Sequence, residues 1–231
     1  MSEIFKIEGV SKVYGETKET LVHALNAVDF KIEEGEFTAI VGPSGSGKST
    51  LLNILSGLDT VSSGRVFLKG QLISQMNDTQ LSEFRRDHIG FIFQSYNLIP
   101  VLTVKENIEY VMLLQGVDQD TRRKRVDEIL KEVNLEGKQD RFPNQLSGGQ
   151  QQRVAVARAM VSRPDIILAD EPTANLDSHT GAELVNMMKR LNKSHGITFV
   201  FSTHDPIIME RAKKIVVLKD GKIDQEKIQT S

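Results

Sequence analysis

Cysteine is absent from this 231-residue chain. That absence removes disulfides, thiolate metal sites and cysteine nucleophiles together, and it suits a reducing compartment. Long apolar runs are missing too. The longest are Tyr110 to Leu114, Ile166 to Ala169 and Ile215 to Leu218, far short of the ~18 residues that a membrane-crossing helix requires. The opening MSEIFKIEG has an early acidic residue and no apolar stretch of signal-peptide length. The expectation is a soluble protein that another chain brings to any membrane it serves. Neither charge is in excess: 29 Lys+Arg stand against 31 Asp+Glu, a net charge of −2. Such a balance gives no global attraction to nucleic acid or to an anionic bilayer. There are no internal repeats or low-complexity tracts, and 39% apolar with 26% charged residues is the composition of a globular domain that buries its own core.

What is present alternates. Apolar runs of strand length fall at Ile4–Val10, Val28–Ile32, Thr38–Val41, Val66–Leu68, Ile89–Phe93, Ile166–Ala169, Ile197–Ser202 and Ile215–Leu218. Helical patterns lie between them, which predicts an α/β fold with a mainly parallel sheet. Val126, Ile129, Leu130 and Val133 repeat at i, i+3, i+4, i+7 and predict an amphipathic helix over Thr121–Asn134. Leu184, Met187, Met188 and Leu191 do the same for Ser178–Ser194. Thr103 and Glu106 have capping-box spacing at the head of a helix through Met112. Asp205-Pro206 reads as an N-cap followed by Pro at the first helical position. The stretch from Ser95 to Arg163 is helical by pattern while its flanks alternate. One domain over 1–231 is expected, with an α/β core from 1–94 and 164–231 and a helical lobe from 95–163.

Three segments carry chemistry. Gly42-Pro43-Ser44-Gly45-Ser46-Gly47-Lys48-Ser49-Thr50 matches G-x-x-x-x-G-K-[ST], follows the strand ending at Val41, and opens a helix containing Leu51, Leu52, Ile54 and Leu55. Gly42, Gly45 and Gly47 permit backbone angles that aim successive N–H groups at one anion, and the helix N-terminus adds partial positive charge. Lys48 reaches the terminal phosphates of a nucleoside triphosphate, and the Ser49 hydroxyl ligates Mg²⁺. The apolar run Ile166–Ala169 stops at Asp170-Glu171-Pro172, where α/β sheets bind ligands. Asp170 is the candidate Mg²⁺ anchor and Glu171 the candidate base for the attacking water. Leu146-Ser147-Gly148-Gly149-Gln150 precedes a helix through Val161. With Ser147 as N-cap, it forms a second anion site at a helix N-terminus, in the lobe and roughly a hundred residues beyond the first.

With that third segment the chain resembles the ATP-binding subunits of ABC transporters, whose signature is LSGGQ. The resemblance covers essentially the whole chain. It implies a P-loop NTPase (RecA-like) α/β core, an N-terminal antiparallel β subdomain and an inserted α-helical subdomain. It implies ATP and Mg²⁺, with Lys48, Gln94, Glu171 and His204 catalytic and Ser49, Gln94 and Asp170 at the metal. Nucleotide contacts fall to Tyr14 against adenine, Gly42, Ser44, Gly45, Gly47, Lys48, Ser49 and Thr50. From a facing second copy come Ser147, Gly148, Gly149, Gln150 and Asp177. Taken singly, Tyr14, Gln94 and His204 would read as a packing, a strand-end and a turn residue; their order relative to the two glycine-rich motifs reverses that. The implied partners are this second copy, in a homodimer, and an integral membrane permease with a cytoplasmic coupling helix. The implied location is the cytoplasmic face of the inner or plasma membrane.

Finer features resemble the LolD/MacB-type group, which holds lipoprotein-releasing, macrolide-exporting and antimicrobial-peptide efflux ATPases. These are Leu58-Asp59 with Ser62-Ser63-Gly64, Ile89–Gln94 followed by Tyr96–Pro100, and Asp170–Asp177. With 27 residues after His204, no room for an importer's regulatory domain is expected. The apolar-rich Tyr96–Leu102 is expected to dock the permease, through Leu98 or Ile99. An amino-acid-type importer subunit is the nearest alternative. A nucleic-acid-acting ABC ATPase is a more distant one, because the basic run Arg122–Arg125 sits among Asp118, Asp120, Asp127 and Glu128 and reads as a solvated helix face. A P-loop kinase or GTPase has no place for LSGGQ, Gln94 or His204. No nucleic-acid partner is expected.

Overall fold

The computed structural model describes residues 2–17 and 19–229. Two sheets organise the chain. The first holds β1 (Glu3–Tyr14), β2 (Val22–Glu33), β4 (Ser63–Leu68) and the two-residue β5 (Gln71–Leu72), antiparallel in the order β2-β1-β4-β5. The second holds six strands, β3 (Phe37–Val41), β6 (Ile89–Ile92), β7 (Ile166–Asp170), β8 (Thr198–Ser202), β9 (Lys214–Lys219) and β10 (Lys222–Ile228), in the order β10-β9-β3-β8-β7-β6. All its pairings are parallel except β9 with β10. This is the P-loop NTPase fold, with its antiparallel β subdomain.

The central strands read as they do because both sheet faces are covered. Every residue of β3 and β8 is buried, so apolar residues run on without polar alternation. The period of two still decides the face. Phe37, Ala39, Phe199, Phe201, Ile167 and Ala169 point into one core, against the lobe-side helices. Ile40, Val200, Ile166 and Leu168 point into the other, with Leu51, Leu52 and Leu55 of α1 (Lys48–Leu55) and the β subdomain. Phe37 and Phe201 pack with ring centroids 4.5 Å apart.

The lobe-side helices begin where the caps lie. Thr103 and Glu106 exchange reciprocal bonds at the start of α3 (Val104–Leu114). Asp118 caps α4 (Gln119–Glu132), and Ser147 with Gln150 caps α5 (Gly148–Met160). After β7, Asp177 caps α6 (Ser178–His195), and Asp205 with Pro206 at the first position opens α7 (Pro206–Arg211). No strand falls between residues 95 and 163. Two strands and a helix lie outside the apolar runs and periods from which the elements were predicted. β10 is an edge strand exposed along most of its length, so it shows no apolar alternation, and β5 is too short to have a period. Helix α2 (Asp78–His88) buries only Leu81 and Phe84, yet a full Asn77–Gln80 capping box starts it.

Candidate functional site

Strands β3, β7 and β8 deliver their C-terminal ends to one edge of the sheet, and the sequence motifs follow directly from those ends. Tyr14, Gly42, Ser44, Gly45, Gly47, Lys48, Ser49, Thr50, Gln94, Glu171 and His204 line a single open cavity of about 770 Å³, large enough for a nucleotide. Val22, His23 and Ala24 of β2 also line it. No motif points to these three, because a strand segment has no local signal for what lies across from it.

The loop between β3 and α1 is shaped by close approach. A Cβ on Gly42 would lie 2.0 Å from the Leu218 carbonyl oxygen, and one on Gly47, at φ +101, 2.4 Å from that of Ala24. No side chain other than hydrogen fits at either position. Gly47 is also the N-cap of α1 and supplies no side-chain cap, so the first-turn N–H groups stay available to an anion. The Lys48 amine donates to the carbonyls of Gly42 at 2.8 Å and Pro43 at 3.0 Å, which keeps a cation inside the loop it belongs to.

Opposite the loop stand the two carboxylates. Asp170 ends β7, and its Oδ1 accepts from the Ser49 hydroxyl at 3.5 Å. That is the outer limit of a hydrogen bond, and it is within the span of two oxygens sharing one cation whose bonds are about 2.1 Å long. Burial above all, and then the neighbouring Glu171 carboxylate, hold the Asp170 carboxyl above the ordinary carboxylate range. Among the described residues no group of three acidic, histidine or cysteine side chains forms an all-protein metal cage. One carboxylate and one hydroxyl, both hard oxygen donors, are the set that suits Mg²⁺ held mainly by water and phosphate.

Glu171 has φ +43, a left-handed conformation for a non-glycine residue. Its N–H donates to the Ser202 carbonyl at 2.9 Å, which ties it to β8. Its carboxylate lies 2.7 Å from His204 Nδ1 through Oε1, and Oε2 accepts from the Thr203 hydroxyl at 3.3 Å. Strain of this sort persists where surrounding contacts over-determine it, and it clusters at functional sites. Thr203 was not among the expected site residues; its position immediately before His204 was the available cue.

Tyr14 is at the cavity, but its hydroxyl is engaged. It donates to Asp59 Oδ2 at 2.5 Å, while Lys12 bonds the other oxygen of Asp59 and lies 4.9 Å from the Tyr14 ring centroid. Asp59 is therefore the residue that fixes the ring. Gln94 follows β6, and Asn175 Nδ2 donates to its carbonyl at 3.0 Å.

The third motif lies apart. Ser147, Gly148, Gly149 and Gln150 do not line the cavity of this chain, and neither does Asp177. Ser147 is exposed and accepts from the Gln150 N–H at 3.3 Å. Asp177 accepts from both the N–H and the hydroxyl of Thr180. The second anion site is thus a helix N-terminus whose cap, Ser147, is exposed while Gly149 behind it is buried. Gln152, fully buried on α5, links the motif's helix to the site. It donates to the carbonyls of Phe93 at 3.4 Å and Pro172 at 2.8 Å. Set among Gln150, Gln151 and Arg153, it had no signal of its own in the sequence.

The expectation for Leu98 changes. Leu98 is packed against the lobe-side core, and the backbone of Ile99 is held by buried Asn107, which bonds its N–H and its carbonyl. Asn107 also bonds the carbonyls of Leu102 and Thr103, and the loop so moulded leaves Val101 77% exposed. Leu98 is therefore half-buried against the core, and Val101 is the most exposed apolar side chain of the loop.

The profile of the ABC transporter family matches residues 25–174. The ABC transporter ATP-binding protein MJ0796 of Methanocaldococcus jannaschii is 46% identical over 230 residues, covering 96% of each chain. The macrolide export ATP-binding/permease protein MacB 2 of Yersinia pestis is 46% identical over 220 residues, which are 95% of this chain and 32% of that longer one. A dimeric structure of MJ0796 bound to ADP and Pi superposes with a TM-score of 0.90 at 44% identity, covering 99% of this chain and 100% of that chain.

Proposed function

The chain belongs to the ABC transporter family as an ATP-hydrolysing subunit, and from that premise we propose how its residues divide the work. ATP binds with its phosphates in the Gly42–Thr50 loop, where backbone N–H groups, the α1 N-terminus and Lys48 compensate their charge. Ser49 and Asp170, with Gln94 beside them, would hold Mg²⁺, which when bound would supply positive charge to the phosphates. Glu171 takes a proton from water as its oxygen attacks the γ-phosphorus, and the bond to the β-phosphate oxygen breaks, releasing ADP and phosphate. His204, which lines the cavity against Glu171, is assigned to the γ-phosphate and to fixing the carboxylate. Tyr14, oriented by Asp59, stacks on adenine.

A second copy completes the site. Ser147–Gln150 of one copy closes over the ATP of its twin, and Asp177 crosses the interface. This reading is supported by the placement of that motif away from the cavity of its own chain and by the dimeric relative. Hydrolysis removes the phosphoryl bridge and the pair opens, so that ATP biases a two-state equilibrium. In domain terms, 1–94 with 164–231 is the catalytic core and 95–163 the signature lobe.

The partner is an integral membrane permease, which holds this chain at the cytoplasmic face of the membrane. Likeness to MacB, in which such a cassette is continuous with a permease, supports the LolD/MacB-type branch and a cargo from the cell envelope. Val101, with the exposed stripe Tyr110, Leu113 and Leu114 on α3, receives the permease's coupling helix. The observation that carries the whole reading is the convergence of Lys48, Asp170, Glu171 and His204 from three separate strand ends. Glu171→Gln tests it. Turnover falls by about 10²–10⁴, ATP still binds, and an ATP-bound dimer accumulates on size-exclusion chromatography; hydrolysis at the unmodified rate would remove Glu171 from its role.

A further inference from the structure

The turn after Gln94 is strained and held. Tyr96 has φ +61 and Asn97 φ +48, two successive non-glycine residues in the left-handed region. Their carbonyls converge on one group, the Arg158 guanidinium, which donates to Asn97 O at 2.6 Å and to Tyr96 O at 2.9 Å. Arg158 lies on α5, the helix that Ser147 caps. Among the described residues no carboxylate pairs with it, and burial is the cause that lowers its pKa. A half-buried guanidinium whose bonds go to two carbonyls is a geometric clamp, because its planar fork fixes both acceptors at once.

The same helix touches the segment at two further points. Gln152 bonds the Phe93 carbonyl on the near side of Gln94. At the head of the helix, a Cβ on Gly148 would lie 2.9 Å from Tyr96 Oη, so the absence of a side chain there lets the phenol sit against the motif. Residues 93–97 are thus bracketed by α5 before and after Gln94, while Gln94 itself reaches the cavity.

We infer that Arg158 is a positioning residue for hydrolysis: its clamp on the 96–97 turn fixes Gln94 in register with the helix that carries Ser147 and Gly149. Whatever moves that helix moves Gln94 with it. Closure of the partner site and placement of the metal and water are therefore coupled inside one chain. The inference rests on the proposed role of Gln94 and names the residue through which the lobe controls it.

The full-length chain with Mg·ATP tests it by a double-mutant cycle. Arg158→Lys keeps the charge and loses the fork. It is expected to lower kcat about tenfold, since small misplacements of catalytic groups are costly, with ATP affinity unchanged within about twofold. The Mg²⁺ concentration for half-maximal turnover rises with it. Because both residues act at one point, Arg158→Lys combined with Gln94→Ala turns over no more slowly than Gln94→Ala alone. Losses that multiply would overturn the inference. So would a kcat per folded molecule that stays at the unmodified value while thermal stability drops, which marks Arg158 as structural only. If Gln94→Ala itself leaves turnover and Mg²⁺ dependence intact, the failure lies in the reading of Gln94, and the inference falls with it.

Discussion

Replacing Ser147 with aspartate separates two roles that one hydroxyl holds. In the single chain Ser147 is the N-cap of α5, accepting from the Gln150 N–H at 3.3 Å, while the Gln150 side chain accepts from the Ser147 N–H at 3.1 Å. Aspartate caps helices about as well as serine, so the fold should hold to within about 0.5 kcal/mol, or roughly 1–2 °C in Tm for a chain of this size. The ATP of the same chain is untouched, because Ser147 does not line that cavity. What changes is the surface offered to the twin. A carboxylate about 5 Å from the twin's γ-phosphate repels each unit of its charge by about 1 kcal/mol at the dielectric of water and about 3 kcal/mol at an effective value near 20. That is about 5- to 150-fold per site. Two sites close together in a symmetric dimer, so the dimer dissociation constant rises by about the square of that factor. Analytical ultracentrifugation with Mg·ATP in a Glu171→Gln background reads the shift, and equilibrium binding of a fluorescent ATP analogue to the monomer supplies the control. A Ser147→Asp chain that dimerises as tightly as its parent would refute the split site. Equal loss of monomer nucleotide binding would place the motif in its own chain's cavity.

Asp170→Asn gives the opposite signature. A folded-state carboxyl above its unfolded value contributes stability that is full below the unfolded value and lost as pH rises through the folded one, so near neutral pH the wild-type side chain is a burden unless a cation sits beside it. The amide removes that burden. The variant without nucleotide should melt at or above the wild-type temperature at pH 7, lose most of the Mg·ATP-induced rise in Tm, and lose ATPase activity by at least about a hundredfold; a wild-type Mg²⁺ response in calorimetry would contradict the metal assignment. On the lobe, Leu98→Asp places a charge against the core and should cost about 2 kcal/mol, some 4–8 °C in Tm. Val101→Asp should leave Tm and isolated ATPase activity alone while abolishing coupled transport in reconstituted complex; transport at full rate would move the permease contact elsewhere.

Much of the architecture was legible because it is locally encoded. The capping pairs Thr103–Glu106, Ser147–Gln150 and Asp205–Pro206 act over three residues or fewer, and each helix starts where its cap says. The buried strands β3, β7 and β8 announced themselves by uninterrupted apolar runs, since both faces are covered. β10 gave no such sign. It pairs with β9, and all its side chains but that of Ile223 are exposed, so pairing geometry more than apolar pattern holds it. Leu98 was ambiguous for a related reason: an apolar side chain in a loop looks the same in sequence whether it packs on a core or waits for a partner. Buried Asn107, nine positions later, shapes the loop by holding both backbone groups of Ile99, and Val101 is left exposed.

The site divides along the same line. Residues proposed to touch a phosphate directly are bound to fixed spacing, because one loop must wrap one anion, and so the Gly42–Thr50 motif was legible. The residues that hold those residues are scattered. Asp59 orients Tyr14 from 45 positions away, and Thr203 reaches Glu171 across 32. Gln152 spans 59 positions to Phe93 and 20 to Pro172, so one buried amide joins the helix of the Ser147–Gln150 motif to both the Gln94 and the Glu171 segments. A buried side-chain amide that lost one of these carbonyls would be left with an unpaired polar group, at a cost of about 1–3 kcal/mol. The helix therefore cannot slide freely past the catalytic loops; it must carry them. Coupling of that kind lets contact at an exposed serine, outside the cavity of its own chain, bear on the carboxylate proposed as the base.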